Sequence, residues 1–443
     1  MTAGTDEVAE FIEHVISGRM DAAQILLASD PTLPKRDVFA AACYGDVEAF
    51  ASYPERLTAV GGPRDWPVLL YLCYSEFQRF DLARREAFLR SAVLLLDAGA
   101  DPNASFLAND EPQTALYGGC GRANNPGLTK LLLDAGADPN EGTESFGSEA
   151  LYHAAELPDL ECLSLILAAK PNLDKISFCF ARKLDFEDIE GARLFLAHGA
   201  DVNFVTPFGD RMTRLHHAVQ RGRGPDTIAL LLDHGGDIAA RTEYGKTPYA
   251  LAIRYGRTGV ADVLRAHGAT DAELTNMDRF VGACAVGDTN LAQALRADLT
   301  DELGPDEYQI FAALAGEDNA LAVDSMARMG FDPDESANIG PILCNAAWTG
   351  AANAMDALLA HGPDLEKLNA FGGTALDTAA FGAGHCHYRF GGMIAAGQPA
   401  DVTHGDYPRV VKSLLEAGAS ADASSEYPTG DAEIDALFDQ YRR

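Results

Sequence analysis

Apolar residues along the chain fall into short runs at helical spacing, separated by clusters of Gly, Asp, Pro and Asn. One ten-residue phrase organises the pattern: Leu-Leu-Leu-Asp-Ala-Gly-Ala-Asp-Pro-Asn stands letter for letter at residues 94–103 and 131–140. Looser copies follow at residues 194–203, 230–239, 263–272, 358–365 and 414–421. The two identical copies lie 37 positions apart and the copies beginning at Leu230 and Val263 lie 33 apart, close to the length of one supersecondary unit. In each copy the apolar start predicts the end of a helix. The Gly predicts its left-handed termination, and Asp-Pro-Asn a turn away. Upstream stands a second signature, in Thr114-Ala-Leu-Tyr117, Ala150-Leu-Tyr-His-Ala-Ala155, Thr213-Arg-Leu-His-His-Ala218, Thr247-Pro-Tyr-Ala250 and Thr374-Ala-Leu-Asp377. There Thr opens a helix, and Pro248 takes a first helical position where its missing N–H costs nothing. The repeating element is helix, short turn, helix, long loop.

At these residues the chain resembles the ankyrin-repeat family, as a divergent array of bacterial type. The family's Thr-Pro-Leu-His, Ala-Ala, Gly, Leu-Leu, Gly-Ala-Asp, Asn pattern is clearest at residues 247–270 and 343–364, and the resemblance spans residues 38–421. It implies an all-α ankyrin-repeat solenoid of about ten to twelve helix-turn-helix units. It also implies a binding scaffold whose loop tips and first helices line a concave face.

Three stretches of chain are expected. Residues 1–60 form degenerate N-terminal capping repeats, 61–273 the main array, and 274–443 either a second stack, because Asp278–Asp288 reads much like Asp37–Asp46, or the continuation of one solenoid past a kink. Between Trp66 and Gly99 the segment SEFQRFDLARREAFLR predicts longer helices or a projecting helical loop. Further on, Phe178-Cys-Phe180 stands where Thr-Pro-Leu is expected. Thr374 to Gly418 spans 44 positions against 21 from Thr247 to Gly268, which leaves an insertion of 23 residues at about 384–406.

Composition narrows the partners. With 66 acidic and 34 basic residues the formal charge is −32, which opposes nucleic acid and anionic membranes and favours a basic or neutral protein. No basic-then-apolar leader opens the sequence and no apolar run is long enough to span a bilayer, so a cytoplasmic protein is expected. The eight cysteines are scattered, and those beside Ala or Gly in first helices predict small buried thiols in a reducing compartment.

Candidate chemistry is sparse. His385 and His387, with His404 and Asp401 or Asp406, could complete a metal shell, but no second Cys/His pair stands at finger spacing. Gly245-Lys246-Thr247 lacks the leading Gly of a phosphate loop, since position 240 is Ala240, and no cofactor is expected. An aromatic residue precedes Gly at Phe146, Phe208, Tyr244 and Phe371. The resemblance places these four at the loop tips, and Tyr117, Tyr152, His217 and Trp348 on the first helices of the concave face, as anchors for a partner. His153 and His216 fall at the family's structural histidine position. The expected function is a cytoplasmic scaffold gripping a basic or neutral partner, in a sharper form an inhibitor or immunity-type protein. The alternative is an enzyme, or a small-molecule or metal-binding protein, with its pocket between the concave face and the 384–406 insertion.

Overall fold

The computed structural model describes residues 3–108, 110–140, 150–205, 211–300, 302–386, 388–389, 392–393 and 405–442. The chain forms two compact units, Met1–Lys183 with Asp188–Asp201, and Leu184–Glu187 with Val202–Arg443. Both are built of antiparallel helix pairs, as the periodicity predicts.

In the first unit the pairs are α1 (Ala3–Ile16) and α2 (Met20–Ser29), then α3 (Val38–Tyr44) and α4 (Val47–Phe50). Next come α5 (Val68–Cys73) with the short α6 (Phe77–Phe80) and long α7 (Arg85–Asp97), followed by α8 (Ala115–Tyr117) and α9 (Pro126–Asp134). The last pairs are α10 (Ala150–Ala155) with α11 (Glu161–Ala168), and α12 (Leu173–Asp185), whose residues 184 and 185 belong to the second unit, with α13 (Ile189–Ala197). The charged excess after Tyr74 is thus both an extra helix and a lengthened one. Phe178, Cys179 and Phe180 lie in the middle of the 13-residue α12, not at its first turn, because this unit's helix begins directly after Pro171-Asn172.

The second unit pairs α14 (Arg214–Gln220) with α15 (Pro225–Asp233), α16 (Pro248–Arg254) with α17 (Thr258–Ala266), and α18 (Asn276–Ala285) with α19 (Thr289–Asp298). Then follow α20 (Pro305–Gly316) with α21 (Ala320–Arg328), α22 (Ile342–Thr349) with α23 (Ala352–Leu359), α24 (Ala375–His385) with α25 (Tyr407–Ala417), and a closing α26 (Ala432–Tyr441). Among the described residues four two-stranded antiparallel ribbons lie in the loops: Val60–Gly61 with Trp66–Pro67, Ser105–Ala108 with Glu111–Thr114, Ser336–Ala337 with Gly340–Pro341, and Tyr388–Arg389 with Gly392–Met393.

The repeated phrase explains the stacking. Gly99 and Gly136 hold φ of 93° and 97°, where any side chain would be strained, and end α7 and α9. The Asp that follows folds its own turn, Asp101 accepting from the Asn103 N–H at 2.9 Å. Asn103 then reaches the next repeat, donating to the Gly136 carbonyl at 3.2 Å and accepting from the Asp138 N–H at 2.7 Å. Asn140 accepts from the Asn172 N–H at 2.7 Å, and Asn203 repeats both bonds with Gly235 and Asp237. Each Asn is therefore a clamp between neighbouring repeats, satisfying backbone groups that the turns leave open.

The signature Thr residues act as helix caps. Thr114, Thr213, Thr247 and Thr374 each accept from a backbone N–H in the first turn of their helix. Apolar faces of both helices fill the interior, with Leu95, Leu116, Leu128, Leu132 and Leu151 nearly solvent-free in the first unit. Leu215, Leu231, Leu264, Phe311 and Leu358 do the same in the second. All eight cysteines are buried, and Cys43, Cys73, Cys120, Cys162, Cys284 and Cys344 are free thiols.

Inside the second unit a fully buried Arg254 binds Asp278 at 3.0 Å, Asp306 at 2.8 Å and Glu307 at 2.9 Å. Lys246 adds a second cation on Asp278 at 2.7 Å. This cluster ties the N-terminus of α20 to the end of α16 and the start of α18, where the sequence register weakens.

Candidate partner-binding surfaces

In the first unit the first helices and the ribbons before them carry a continuous row of rings. Trp66 stacks on Phe106 at 4.0 Å between centroids, and Tyr74 meets Phe106 and Tyr117 edge-on at 5.2 and 5.8 Å. Tyr117 stacks on His153 at 4.0 Å, His153 meets Tyr152 edge-on at 5.4 Å, and Tyr152 lies along Phe178 at 6.2 Å. Arginines lie over two of its rings, Arg64 at 5.0 Å from the Trp66 ring and Arg182 at 4.8 Å from Tyr152. The spacing depends on glycines in the π-helical turn Gly118–Arg122. A Cβ on Gly118 would stand 2.7 Å from the Tyr74 ring, and one on Gly121 would stand 2.6 Å from the Tyr117 ring.

Charge along this row is paired. Glu156 lies 3.0 Å from His153 Nδ1 and 2.6 Å from Arg182. Burial pushes its carboxyl up, but the His153 hydrogen bond and the two cations outweigh that and hold it below the usual range. Glu76 binds Arg122 at 2.6 Å, yet there burial wins and its carboxyl is raised.

In the second unit a groove of about 410 Å³ opens on the first helices. Gln220 and Arg221 line it from the end of α14, and Tyr255 from the end of α16. Gln309, Ala312, Ala313 and Gly316 line it from α20, and Asn345, Trp348 and Thr349 from α22. Asn338 and Ile339, on the loop between the third pair of ribbon strands, complete its lining. Arg257 donates to Glu317 at 2.6 Å beside the groove, and Arg221 lies 3.0 Å from Asp185. Burial lifts the Tyr255 phenol to about 12, so it stays a neutral hydroxyl. Beyond Trp348 the aromatic surface continues, Trp348 stacking with Phe381 at 6.1 Å and Phe381 with His385 at 4.0 Å. Phe381 is 43% exposed.

The expected anchors are distributed among these features. Trp348 lines the groove, and Tyr117 and Tyr152 sit half-buried in the ring row. Tyr244 and Phe371 stand at loop tips, 51% and 85% exposed, each followed by a Gly with positive φ. Phe146, Phe208, His387 and His404 lie outside the described residues. His217 is turned inward, with Nε2 2.9 Å from Asp185, and burial lowers its pKa. His216 is structural: Nδ1 lies 2.8 Å from Thr213 Oγ1 and Nε2 lies 3.1 Å from the Lys246 carbonyl of the next repeat. His385 Nδ1 lies 2.9 Å from the Phe381 carbonyl within its own helix.

Among the described residues no group of three or more His, Cys, Asp or Glu side chains is placed to hold a metal ion. Nor is any described helix long and apolar enough to cross a membrane. Sequence reasoning missed Tyr255, Gln309, Gly316 and Phe381. Only Phe381, one turn past the Thr374 signature, carried a signal of its own, an aromatic residue among Ala and Gly.

Comparison with known proteins gives the following matches. A family model for ankyrin repeats, in three copies, covers residues 179–276. Cyclin-dependent kinase 4 inhibitor B of Bos taurus is 31% identical over 123 residues, which are 27% of this chain and 92% of that protein. Serine/threonine-protein kinase 12 of Arabidopsis thaliana is 38% identical over 82 residues, 18% of this chain and 17% of its own length. The 2-5A-dependent ribonuclease of Homo sapiens is 43% identical over 70 residues, 16% of this chain and 9% of its own length. The chain thus spans less than a fifth of the last two relatives.

Proposed function

The chain belongs to the ankyrin-repeat family, and on that premise we propose that it is a protein-binding scaffold which holds its partner on the first-helix surfaces. The observation that carries this is the groove of the second unit, continuous with the stacked and partly exposed Trp348–Phe381–His385 column. Contiguous exposed aromatic surface of that kind marks an interaction site on a soluble fold, and large rings supply most of the energy in such contacts.

The partner is basic or neutral, because a chain with charge −32 repels acidic ones at long range. A masking role, as an inhibitor of the protein it holds, is supported by the name of the bovine relative. The proposed location is the cytoplasm, in keeping with six free buried thiols.

The test is affinity capture from source-cell lysate at low and moderate salt, with the intact chain and with a Trp348→Ala, Phe381→Ala double variant. The intact chain is expected to retain a protein that salt weakens and the double variant loses. Retention of the same protein by both forms would move the site off this surface. Retention of nothing by either would remove the scaffold proposal.

A further inference from the structure

The groove of the second unit contains a glycine that its backbone does not require. In neighbouring repeats the turn between the two helices uses a left-handed Gly: Gly222, Gly256, Gly287 and Gly350 have φ of 70°, 67°, 70° and 68°. In the α20 repeat that position is filled by Asp318, with φ 59°. Its carboxylate is used next door, accepting from the Ala354 N–H at 2.8 Å and from Asn353 at 2.6 Å. The repeat's glycine stands two residues earlier, at Gly316, in the last turn of α20 with ordinary helical backbone. Nothing crowds it, for a Cβ there would meet its nearest atom, the Asn345 carbonyl oxygen, at 3.6 Å, an ordinary contact. Glycine weakens a helix relative to alanine. Neither φ nor packing explains Gly316, and what its missing side chain leaves is space in the groove that it lines.

The rest of the lining indicates what lies there. Both cations at the groove are matched by carboxylates, Arg257 by Glu317 and Arg221 by Asp185, so the site is neutral within a strongly acidic chain. Gln309 and Asn338 are exposed on its rim, and neither side chain makes a hydrogen bond among the described residues. A carboxamide both donates and accepts, which matches the N–H and C=O of an extended peptide. Trp348 offers a flat apolar wall of the kind that seats prolyl and aromatic rings.

Resting on the scaffold function proposed above, we infer that this groove takes an extended, uncharged stretch of the partner polypeptide. One flat side chain, prolyl or aromatic, lies over Gly316 against Trp348, Gln309 and Asn338 pair with the peptide backbone, and basic residues flank the stretch.

The test is selection of randomised ten-residue peptides, displayed on phage, against the full chain. Selected peptides are then titrated as free labelled peptides against the intact chain and the Gly316→Ala, Gly316→Leu and Trp348→Ala variants. The expected core is uncharged, contains Pro or an aromatic residue and is flanked by Lys or Arg. Gly316→Leu and Trp348→Ala are expected to weaken binding at least tenfold. Gly316→Ala should melt no lower than the parent, which separates loss of the groove from loss of the fold. Peptides with charged cores, or peptides indifferent to Gly316→Leu, would overturn the inference. If such indifferent peptides instead lose binding in a Tyr117→Ala, Tyr152→Ala variant, the scaffold function stands and only the groove assignment falls.

Discussion

His216 illustrates how much a single residue of the repeat signature does. It closes a capping box with Thr213, reaches the carbonyl of Lys246, and is fully buried. Burial lowers its pKa to about 4, against 6.5 when exposed. The fold therefore favours the neutral ring: its stability contribution is complete above pH 6.5 and is lost as pH falls towards 4, by roughly 3 kcal/mol in the limit. Melting temperatures of the parent and of His216→Gln between pH 7 and 5 should converge as pH falls, the parent losing more. The Asn clamps give a second check. Asn103→Ala removes two inter-repeat bonds and is expected to cost about 1–2 kcal/mol in denaturant unfolding, with Asn203→Ala similar. The structural place of His216 and the turn at each Asn were legible because each recurs at a fixed place in a repeated phrase; the reach of Asn into the next repeat was not. The pairing of His217 with Asp185 was not legible, because the two lie 32 positions apart and share no motif.

At the scale of elements, the helix pairs, their caps and the elongated segment before Gly99 followed from spacing and from the chemistry of Thr, Pro and Gly. What spacing did not reveal was the length of α20. Its 12 residues exceed the 7 of α14 and α16, and its N-terminus is held by a buried charge cluster rather than by apolar contacts alone. Within the cluster, burial raises both Asp278 and Asp306; hydrogen bonds from Lys246 and Thr275 bring Asp278 below its ordinary value, while at Asp306 burial prevails. Arg254 is the shared cation. Arg254→Met would leave Asp278, Asp306 and Glu307 buried against one another with only Lys246 to compensate. Such a loss costs about 3–5 kcal/mol, read by denaturant unfolding, and is expected to exceed that of any exposed ion pair here. No sequence pattern announces the cluster, since its acids and bases belong to three separate repeats.

For the whole molecule, charge sets the terms. With a net −32, self-repulsion opposes the folded state, so raising ionic strength from about 20 mM to about 500 mM should raise the melting temperature through screening. The same salt should weaken a basic partner, giving opposite trends for stability and binding in one buffer series. Repetition made the fold readable from sequence, whereas the groove arises from an irregular repeat that departs from the pattern. The central claim is that partners bind on the first-helix surface of the second unit. Hydrogen–deuterium exchange of the chain, free and saturated with its captured partner, tests it most directly. Added protection is expected in α20, α22 and α24 and in the loop carrying Asn338. Protection confined to the second helices, α21, α23 and α25, would contradict it.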